Sequence, residues 1–217
     1  MPNNQNGTVL ALLPQPEAKL AAASTKRPPP RGRNAERRPR EFLTPDEVER
    51  LVSAAKQRGR WGQRDAAAIL LAFSHGLRVS ELVALTWAQI DFRDGVIHVR
   101  RRKNGRDSTQ PLRGAEVRVL KQLRREWPEG QFVLQSERGG PISAAGFRVM
   151  LARTGKAAGF PWLVHPHQLR HATGYALANK GVDTRTLQHY LGHRSIAHTV
   201  RYTELAADRF TGLWQDC

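Results

Sequence analysis

Residues 163 to 205 carry start and stop signals for three helices, which leave this part of the chain few ways to fold. Pro166 favours the first turn of a helix, where a missing backbone N–H costs nothing. Gly181 suits the end of that helix, and Asp183 can cap the helix that follows. Ser195 can cap a third, short helix. The stretch is therefore predicted to form three helices joined by tight turns.

Four polar side chains of this stretch are candidates for chemistry. His167 and Arg170 are three residues apart, so a helix places them on one face with their side chains about 5–6 Å apart. His193 closely follows the second predicted helix, and Tyr202 lies within the third. The helix ends thus bring groups that handle protons and phosphates toward one place, and the stretch predicts a reactive site.

Helix signals also dominate the earlier part of the chain. Thr44, Pro45 and Glu47 together form a helix start with a capping box. Ser80 is expected to cap a short helix that follows Gly76. Apolar periodicity predicts further helices, over residues 64–74, 81–85, 115–127 and 143–158.

The period changes over residues 95–112, where apolar and polar side chains alternate on both sides of Asn104-Gly105. Alternation around such a dipeptide predicts a β-hairpin. Residues 131–140 can supply a third short strand. The expected fold class is α+β, mainly α, with a small antiparallel hairpin or sheet.

Composition divides the chain into three segments. Residues 1–40 combine proline, glycine and basic side chains without apolar periodicity, which predicts a disordered basic arm. Residues 41–204 are expected to form one folded domain. Residues 205–217 are a tail whose apolar side chains are sufficient for a short amphipathic helix, namely Leu205, Phe210, Leu213 and Trp214.

The formal net charge of +16 indicates a polyanionic partner. Residues 25–40 contain seven Lys/Arg and one Glu, and residues 1–24 are balanced, so +10 remains on residues 41–217. Nucleic acid is favoured over an anionic membrane, because the sequence lacks a run of about 18 apolar residues. Cys217 is the only cysteine, which excludes structural disulfides and fits a cytoplasmic protein.

Five cations crowd the tip of the predicted hairpin: Arg100, Arg101, Arg102, Lys103 and Arg106. A charged turn exposed to solvent is one interpretation. The other is a DNA contact, which is favoured because these charges repel one another unless a polyanion offsets them.

The candidate residues suit attack on a phosphodiester. The forks of Arg78 and Arg170 can bind the non-bridging oxygens and stay charged throughout. The phenol of Tyr202 can be the nucleophile if His167 accepts its proton as a general base. A lysine on the hairpin, Lys103, can protonate the leaving oxygen. Such a reaction needs no metal and no cofactor, and the histidine pairs lack the carboxylate or cysteine partners that are typical of zinc sites.

Taken together, these motifs resemble the tyrosine recombinase (phage integrase) family. Lys103 precedes Pro111 by eight residues, as the family's lysine usually does, and Tyr202 follows His193 by nine. The resemblance assigns catalytic roles to Arg78, Lys103, His167, Arg170, His193 and Tyr202, and a supporting role to Glu81. It rests on five segments, namely HGLRVSEL at 75–82, the hairpin RRKNGRDSTQPL at 101–112, HQLRH at 167–171, LGH at 191–193, and Tyr202.

The resemblance implies a catalytic domain over residues 41–204 that recombines two short DNA sites through a 3′-phosphotyrosyl intermediate. Most members carry a further helical domain of about 100 residues before the catalytic one, and only a basic arm is expected in its place here. That compact layout is similar to the regulatory recombinases that invert the type 1 fimbrial promoter switch. A homotetramer on DNA, accessory DNA-bending proteins and a bacterial, nucleoid-associated location are further expectations.

Two alternatives remain at this point. A catalytically silent DNA-binding regulator on the same scaffold would need the arginines but neither Tyr202 nor His167. A type IB topoisomerase would share the chemistry and relax supercoils without paired sites. The outcome of recombination, whether inversion or integration and excision, is not encoded in these motifs. The tail is expected to dock either on a neighbouring protomer or on its own core.

Overall fold

The computed structural model describes residues 40–101 and 105–204. Eight α-helices and three short strands lie in these ranges, with one 3₁₀ turn at Trp87–Gln89. The helices are α1 Pro45–Lys56, α2 Gly62–Ser74, α3 Val79–Leu82, α4 Gly114–Glu126, α5 Ala144–Ala157, α6 Pro166–Ala178, α7 Thr184–Leu191 and α8 Ala197–Glu204. The strands are β1 Ile90–Asp91, β2 Val96–Val99 and β3 Ser108–Pro111.

The three strands form one antiparallel sheet in the order β1-β2-β3. Strands β2 and β3 pair as the predicted hairpin, with Ile97 opposite Gln110. The expected third strand over residues 131–140 is wrong, because that segment makes only isolated bridges. Ile90–Asp91 takes the third place instead. The mainly α fold class with a small antiparallel sheet is confirmed.

Helix α2 lies at the centre of the fold and packs against α1, α4 and α6. Its side chains are apolar nearly all round, so most of the helix is buried, including Ile69 and Leu71. Helix α1 begins as expected, because the Thr44 side chain accepts from the Glu47 N–H and the Glu47 carboxylate accepts from the Thr44 N–H. These packed helices position the polar residues of the candidate site.

The last three helices follow their sequence signals closely. Pro166 is the first residue of α6, and the Asp183 carboxylate accepts from two backbone N–H groups at the start of α7. Gly192 ends α7 in the left-handed conformation at φ 64°. Helix α8 packs against α6 and α7, and Tyr202 belongs to the small core that they share.

Three expectations fall on parts of the chain outside the described residues: the disordered arm up to residue 39, the tail over residues 205–217, and the hairpin tip at residues 102–104. Within residues 40–101 and 105–204, no helix is both long and apolar enough to cross a membrane.

A buried ionic contact joins α4 to the end of α2. The Glu116 carboxylate lies 3.3 Å from Nε2 of His75, and both side chains are almost completely buried. Burial alone would raise the pKa of Glu116, but its contacts with His75, Ser74 and the Arg113 N–H lower it to about 2.

We expect Glu116 to make the fold sensitive to acid. Because its pKa is lower in the folded than in the unfolded chain, its contribution of about 3 kcal/mol is complete above pH 4.5 and is lost as the pH falls toward 2. The melting temperature of Glu116→Gln should therefore fall less steeply below pH 4.5 than that of the unmodified protein. Parallel melting curves for the two proteins across pH 5 to 2.5 would contradict this account.

Candidate active site

The first arginine of the site is held by a carboxylate one helical turn away. Arg78 is the N-cap of α3, and Nη1 of its guanidinium lies 2.8 Å from Glu81 Oε1. The other carboxylate oxygen of Glu81 accepts from the Arg78 backbone N–H at 2.9 Å. The expected cap at Ser80 is therefore wrong, because Ser80 lies inside the helix. Glu81 is thus in contact with Arg78, and its supporting role in the site remains a prediction.

The second arginine, Arg170, is buried in α6 and is only 5% exposed. Its guanidinium donates to the Gly76 carbonyl and, at 2.6 Å, to the Leu191 carbonyl. Burial, reinforced by the charges of Arg78 and Arg101, lowers the pKa of Arg170 to about 9. The side chain is thus still charged at pH 7, and it is close enough to Arg78 for the two charges to interact.

Arg101 was expected to contact DNA, but the structure places it inside the protein. Its side chain is fully buried and forms an ion pair with Glu81 at 2.9 Å. The guanidinium also donates to three backbone carbonyls, those of His75, Gly76 and Tyr190. Four protein oxygens therefore occupy this guanidinium, which cannot also reach a DNA phosphate in this conformation.

Of the other four cations of the hairpin, two lie within the described residues and two do not. Arg100 and Arg106 are exposed, which is compatible with DNA contacts, and those contacts remain predictions. Arg102 and Lys103 lie outside the described residues. The positions of Arg100 and Arg106 place exposed charge on both sides of the segment that contains Lys103.

Tyr202 lies in α8 with only 2% of its surface exposed. Its hydroxyl is 2.8 Å from Nδ1 of His171, and its ring meets Tyr175 edge-on at 5.0 Å. Gly174 makes room for the ring, because a Cβ there would lie 2.7 Å from two ring carbons. Burial raises the pKa of Tyr202, against the opposing charges of Arg170 and Arg201.

His193 follows Gly192 and stands beside the tyrosine, with the two rings nearly parallel and their centroids 6.3 Å apart. Its Nδ1 is 2.9 Å from the hydroxyl of Thr199. Burial and the nearby charges of Arg170 and Arg78 lower the pKa of His193 to about 3. The ring is therefore neutral at pH 7, and the tautomer that accepts from Thr199 carries its proton on Nε2.

His167 occupies the first turn of α6 and is exposed. Its ring centroid is 6.3 Å from that of His171, one turn further along the helix. The described hydrogen bond of the Tyr202 hydroxyl is to His171, and the role assigned to His167 remains a prediction. The structure places Arg78, Glu81, Arg170, His193 and Tyr202 close enough for their charges and rings to interact.

The sequence model of the Phage integrase family matches residues 41–209 of this chain. The chain belongs to the phage integrase family. The type 1 fimbriae regulatory protein FimB of Escherichia coli (strain K12) is 42% identical over 185 residues, which cover 83% of this chain and 92% of FimB.

Solved structures of phage integrase relatives share the fold. The crystal structure of XerA recombinase matches with a TM-score of 0.68 and 28% identity, covering 79% of this chain and 63% of that one. A lambda integrase dimer bound to a COC′ core site matches with a TM-score of 0.61 and 25% identity, covering 82% and 50%. The chain therefore spans between half and two thirds of these recombinases, but nearly all of FimB.

Two residues of this phage integrase site were not among the sequence candidates. His171 is the second histidine of HQLRH and lies four residues after His167, so its place on the same helical face was readable. Thr199 carried no signal, because a threonine in a short helix has many uses. Among the described residues, no group of three or more His, Cys, Asp or Glu side chains could hold a metal ion.

We expect Thr199 to fix the tautomer of His193. Thr199→Val keeps the shape of this fully buried side chain but removes the hydroxyl, so Nε2 of His193 no longer holds its proton reliably. Single-turnover DNA cleavage should slow about tenfold. Thr154→Val, another fully buried threonine that lies in α5, is the matched control and should leave the rate unchanged. An equal rate for both variants would contradict this role.

Proposed function

We infer that this chain is a tyrosine-type site-specific DNA recombinase, which cuts and rejoins DNA strands through a 3′-phosphotyrosyl intermediate. The observation that carries this inference is the surroundings of the Tyr202 phenol, whose ring lies 6.3 Å from that of His193 and whose pKa is influenced by the charge of Arg170. A phosphate bound beside Tyr202 would meet a nucleophile and arginines that stay charged at pH 7. Membership of the phage integrase family supports the same activity.

In the first step the Tyr202 oxygen attacks the scissile phosphorus. A bond forms between this oxygen and phosphorus, the bond to the 5′ oxygen breaks, and negative charge grows on the non-bridging oxygens. Arg78 and Arg170 bind these oxygens, and Nε2–H of His193 donates a further hydrogen bond. Lys103 gives a proton to the leaving 5′ oxygen. The family resemblance assigns the tyrosine proton to His167.

In the second step the 5′-hydroxyl of a partner strand attacks the phosphotyrosyl bond and releases Tyr202. The energy of the phosphodiester is retained in the covalent link, so the exchange needs neither ATP nor a cofactor. Two rounds of exchange pass through a Holliday junction. The protein's part is therefore to position the phosphate, stabilise the added charge and move two protons.

The partner is double-stranded DNA carrying the recombination sites. The net charge of +16 supports this partner, as does the structural likeness to a lambda integrase dimer that is bound to a core site. Exposed Arg100 and Arg106 contact the DNA backbone. The similarity to FimB favours inversion of a short segment over integration, with a homotetramer assembled on paired sites and accessory proteins bending the DNA between them.

The test uses nicked suicide substrates built from short inverted repeats beside the coding region. On these substrates the short fragment after the cut diffuses away, so the unmodified protein should accumulate a covalent complex. Peptide mapping should place the DNA on Tyr202, and the yield should be the same with EDTA. Specific binding of the repeats without any covalent complex would favour the catalytically silent regulator. Relaxation of supercoils in DNA without repeats would favour a topoisomerase.

We expect the tail to join protomers. Deleting residues 211–217 removes Leu213 and Trp214, two apolar side chains that suit a pocket on a neighbouring protomer. Tetramer assembly on paired sites should weaken at least tenfold, whereas binding to one half-site should change less than twofold. Gel-shift titrations of both substrates measure the two quantities. Unchanged assembly by the shortened chain would favour a tail that folds on its own core.

A further inference from the structure

Two helices of the fold end side by side, next to the candidate site. The end of α2 presents the carbonyls of His75 and Gly76, and the end of α7 presents those of Tyr190 and Leu191. Carbonyls at a helix C-terminus have no partner within the helix, and they carry partial negative charge. Two such ends that meet inside a protein therefore need buried hydrogen-bond donors.

Two buried arginines supply these donors. Arg101 donates to His75 and Gly76 at the end of α2, and to Tyr190 at the end of α7. Arg170 donates to the same Gly76 carbonyl and also to the end of α7. A carbonyl oxygen has two lone pairs, so Gly76 can accept from both guanidinium groups. Each arginine thus joins one helix end to the other.

Each of the two helix ends leads directly to a residue of the candidate site. Arg78 follows Gly76 by two residues, and His193 follows the last residue of α7 by two. Arg101 has a further link to Arg78, because it pairs at 2.9 Å with Glu81, whose other carboxylate oxygen binds the Arg78 guanidinium. The spacing between Arg78 and His193 therefore depends on the side chain of Arg101.

The packing around Arg101 leaves its side chain one position. Its backbone N–H donates to the Asp107 carboxylate at 2.7 Å. A Cβ at Gly105 would lie 2.7 Å from Cβ of Arg101, and a Cβ at Gly192 would lie 2.7 Å from its Cγ, so a larger residue at either position would push the hairpin away from α7. Arg101 is therefore held at its backbone, along its stem and at its guanidinium, and it can act as a rigid link.

We propose that Arg101 is a positioning residue for the phosphate-binding groups of the active site. It joins the ends of α2 and α7 and so sets the distances between Arg78, Arg170 and His193, without contacting the phosphate itself. The inference rests on the proposed function, in which those three side chains bind the non-bridging oxygens. Because these oxygens gain negative charge in the transition state, displaced donors lower the cleavage rate more than they lower the affinity for DNA.

The experiment compares Arg101→Lys with Arg64→Lys in single-turnover cleavage of the nicked suicide substrate, below the melting temperatures of both variants. A lysine keeps the charge beside Glu81, but its single nitrogen cannot span the same carbonyls. Arg64 is the matched control, because it also pairs with a carboxylate and donates to a carbonyl, at the opposite end of α2. Arg101→Lys should lower the cleavage rate about 10- to 100-fold and change half-site binding less than about threefold, whereas the control should change neither.

A second substrate distinguishes positioning from a general loss of folded protein. It carries a methylphosphonate at the cleavage site, where a methyl group replaces one non-bridging oxygen and removes its negative charge. Cleavage of this substrate depends less on the spacing of the arginines, so Arg101→Lys should lower its rate less than about threefold relative to the unmodified protein. An equal loss on both substrates would overturn the proposal, because partial unfolding lowers both rates alike. Unimpaired cleavage of the phosphate would overturn it too.

A measurement without DNA keeps this inference separate from the proposed function. In protein with isotope-labelled histidine, Arg101→Lys should shift the NMR resonances of the His193 ring, whereas Arg64→Lys should leave them in place. Unchanged resonances in Arg101→Lys would refute the link between Arg101 and His193. If the resonances shift but the unmodified protein forms no covalent complex at Tyr202, the proposed function fails and the link between the helix ends stands.

Discussion

Replacing Tyr202 with Phe should abolish the covalent protein–DNA complex while leaving DNA binding intact. The phenol oxygen is the atom that bonds to phosphorus in the proposed reaction. Loss of a catalytic nucleophile lowers turnover by about 10⁴-fold or more. The complex should therefore be undetectable on a denaturing gel after hours with the nicked suicide substrate, whereas the unmodified protein accumulates it.

The packing around Tyr202 makes Phe a clean substitution. The phenylalanine ring can keep the packing of the tyrosine ring against Tyr175 and Gly174. The substitution removes the hydrogen bond to His171. The cost to folding should be about 1 kcal/mol, so half-site binding at room temperature should change less than twofold. Tyr190→Phe is the matched control, since its hydroxyl donates to the Ser74 carbonyl and it should still form the complex. A normal covalent yield from Tyr202→Phe would assign the nucleophile to another residue.

The sequence predicted those parts of the fold whose causes are local. Asp183 and Pro166 act on the backbone groups next to them, so the starts of α6 and α7 could be predicted to the residue. The alternation over residues 95–112 likewise predicted the hairpin. Strand β1 could not be predicted, because two residues carry no period and their pairing depends on a partner strand elsewhere.

The candidate site divides in the same way. Arg170 and Tyr202 were recognisable from their spacing to other motif residues, and the structure places them close enough for their charges to interact. Five cations in one hairpin look alike in a sequence, however, and nothing local distinguishes Arg101 from Arg100. Whether a guanidinium turns inward depends on Glu81, twenty residues away, which the fold places beside it.

Replacing Arg101 with Met should destabilise the protein more than any other single change in the hairpin. The side chains of Arg101 and Glu81 are 0% and 1% exposed, so the variant buries a carboxylate that has lost the cation of Arg101. Burial raises the pKa of Glu81, and Arg101 is the largest of the opposing influences that keep it below its usual value. Breaking such a buried pair typically costs about 3–5 kcal/mol. For a chain of this size the melting temperature should fall by roughly 6–20 °C.

The neighbouring Arg100→Met is the matched control, because Arg100 is exposed and its loss should change stability by less than about 0.5 kcal/mol. For DNA binding, we expect Arg100→Met to have the larger effect and Arg101→Met the smaller one. Below its melting temperature Arg101→Met should keep the salt dependence of half-site binding, whereas Arg100→Met should lower the slope by about one. If Arg101→Met left the melting temperature unchanged and reduced the salt dependence of half-site binding, Arg101 would be a DNA contact and not a buried partner of Glu81.

A second substitution separates the stability of this pair from its role in the site. In Arg101→Met with Glu81→Gln the buried charge is gone, so at least about 2 kcal/mol of the lost stability should return. Cleavage should not return with it, because the Glu81 carboxylate also holds the guanidinium of Arg78 at 2.8 Å. Urea unfolding and single-turnover cleavage of the double variant measure the two effects. Since Glu81 pairs with both arginines, one carboxylate supports the part of the hairpin that precedes Lys103 and orients the arginine that is proposed to bind the phosphate.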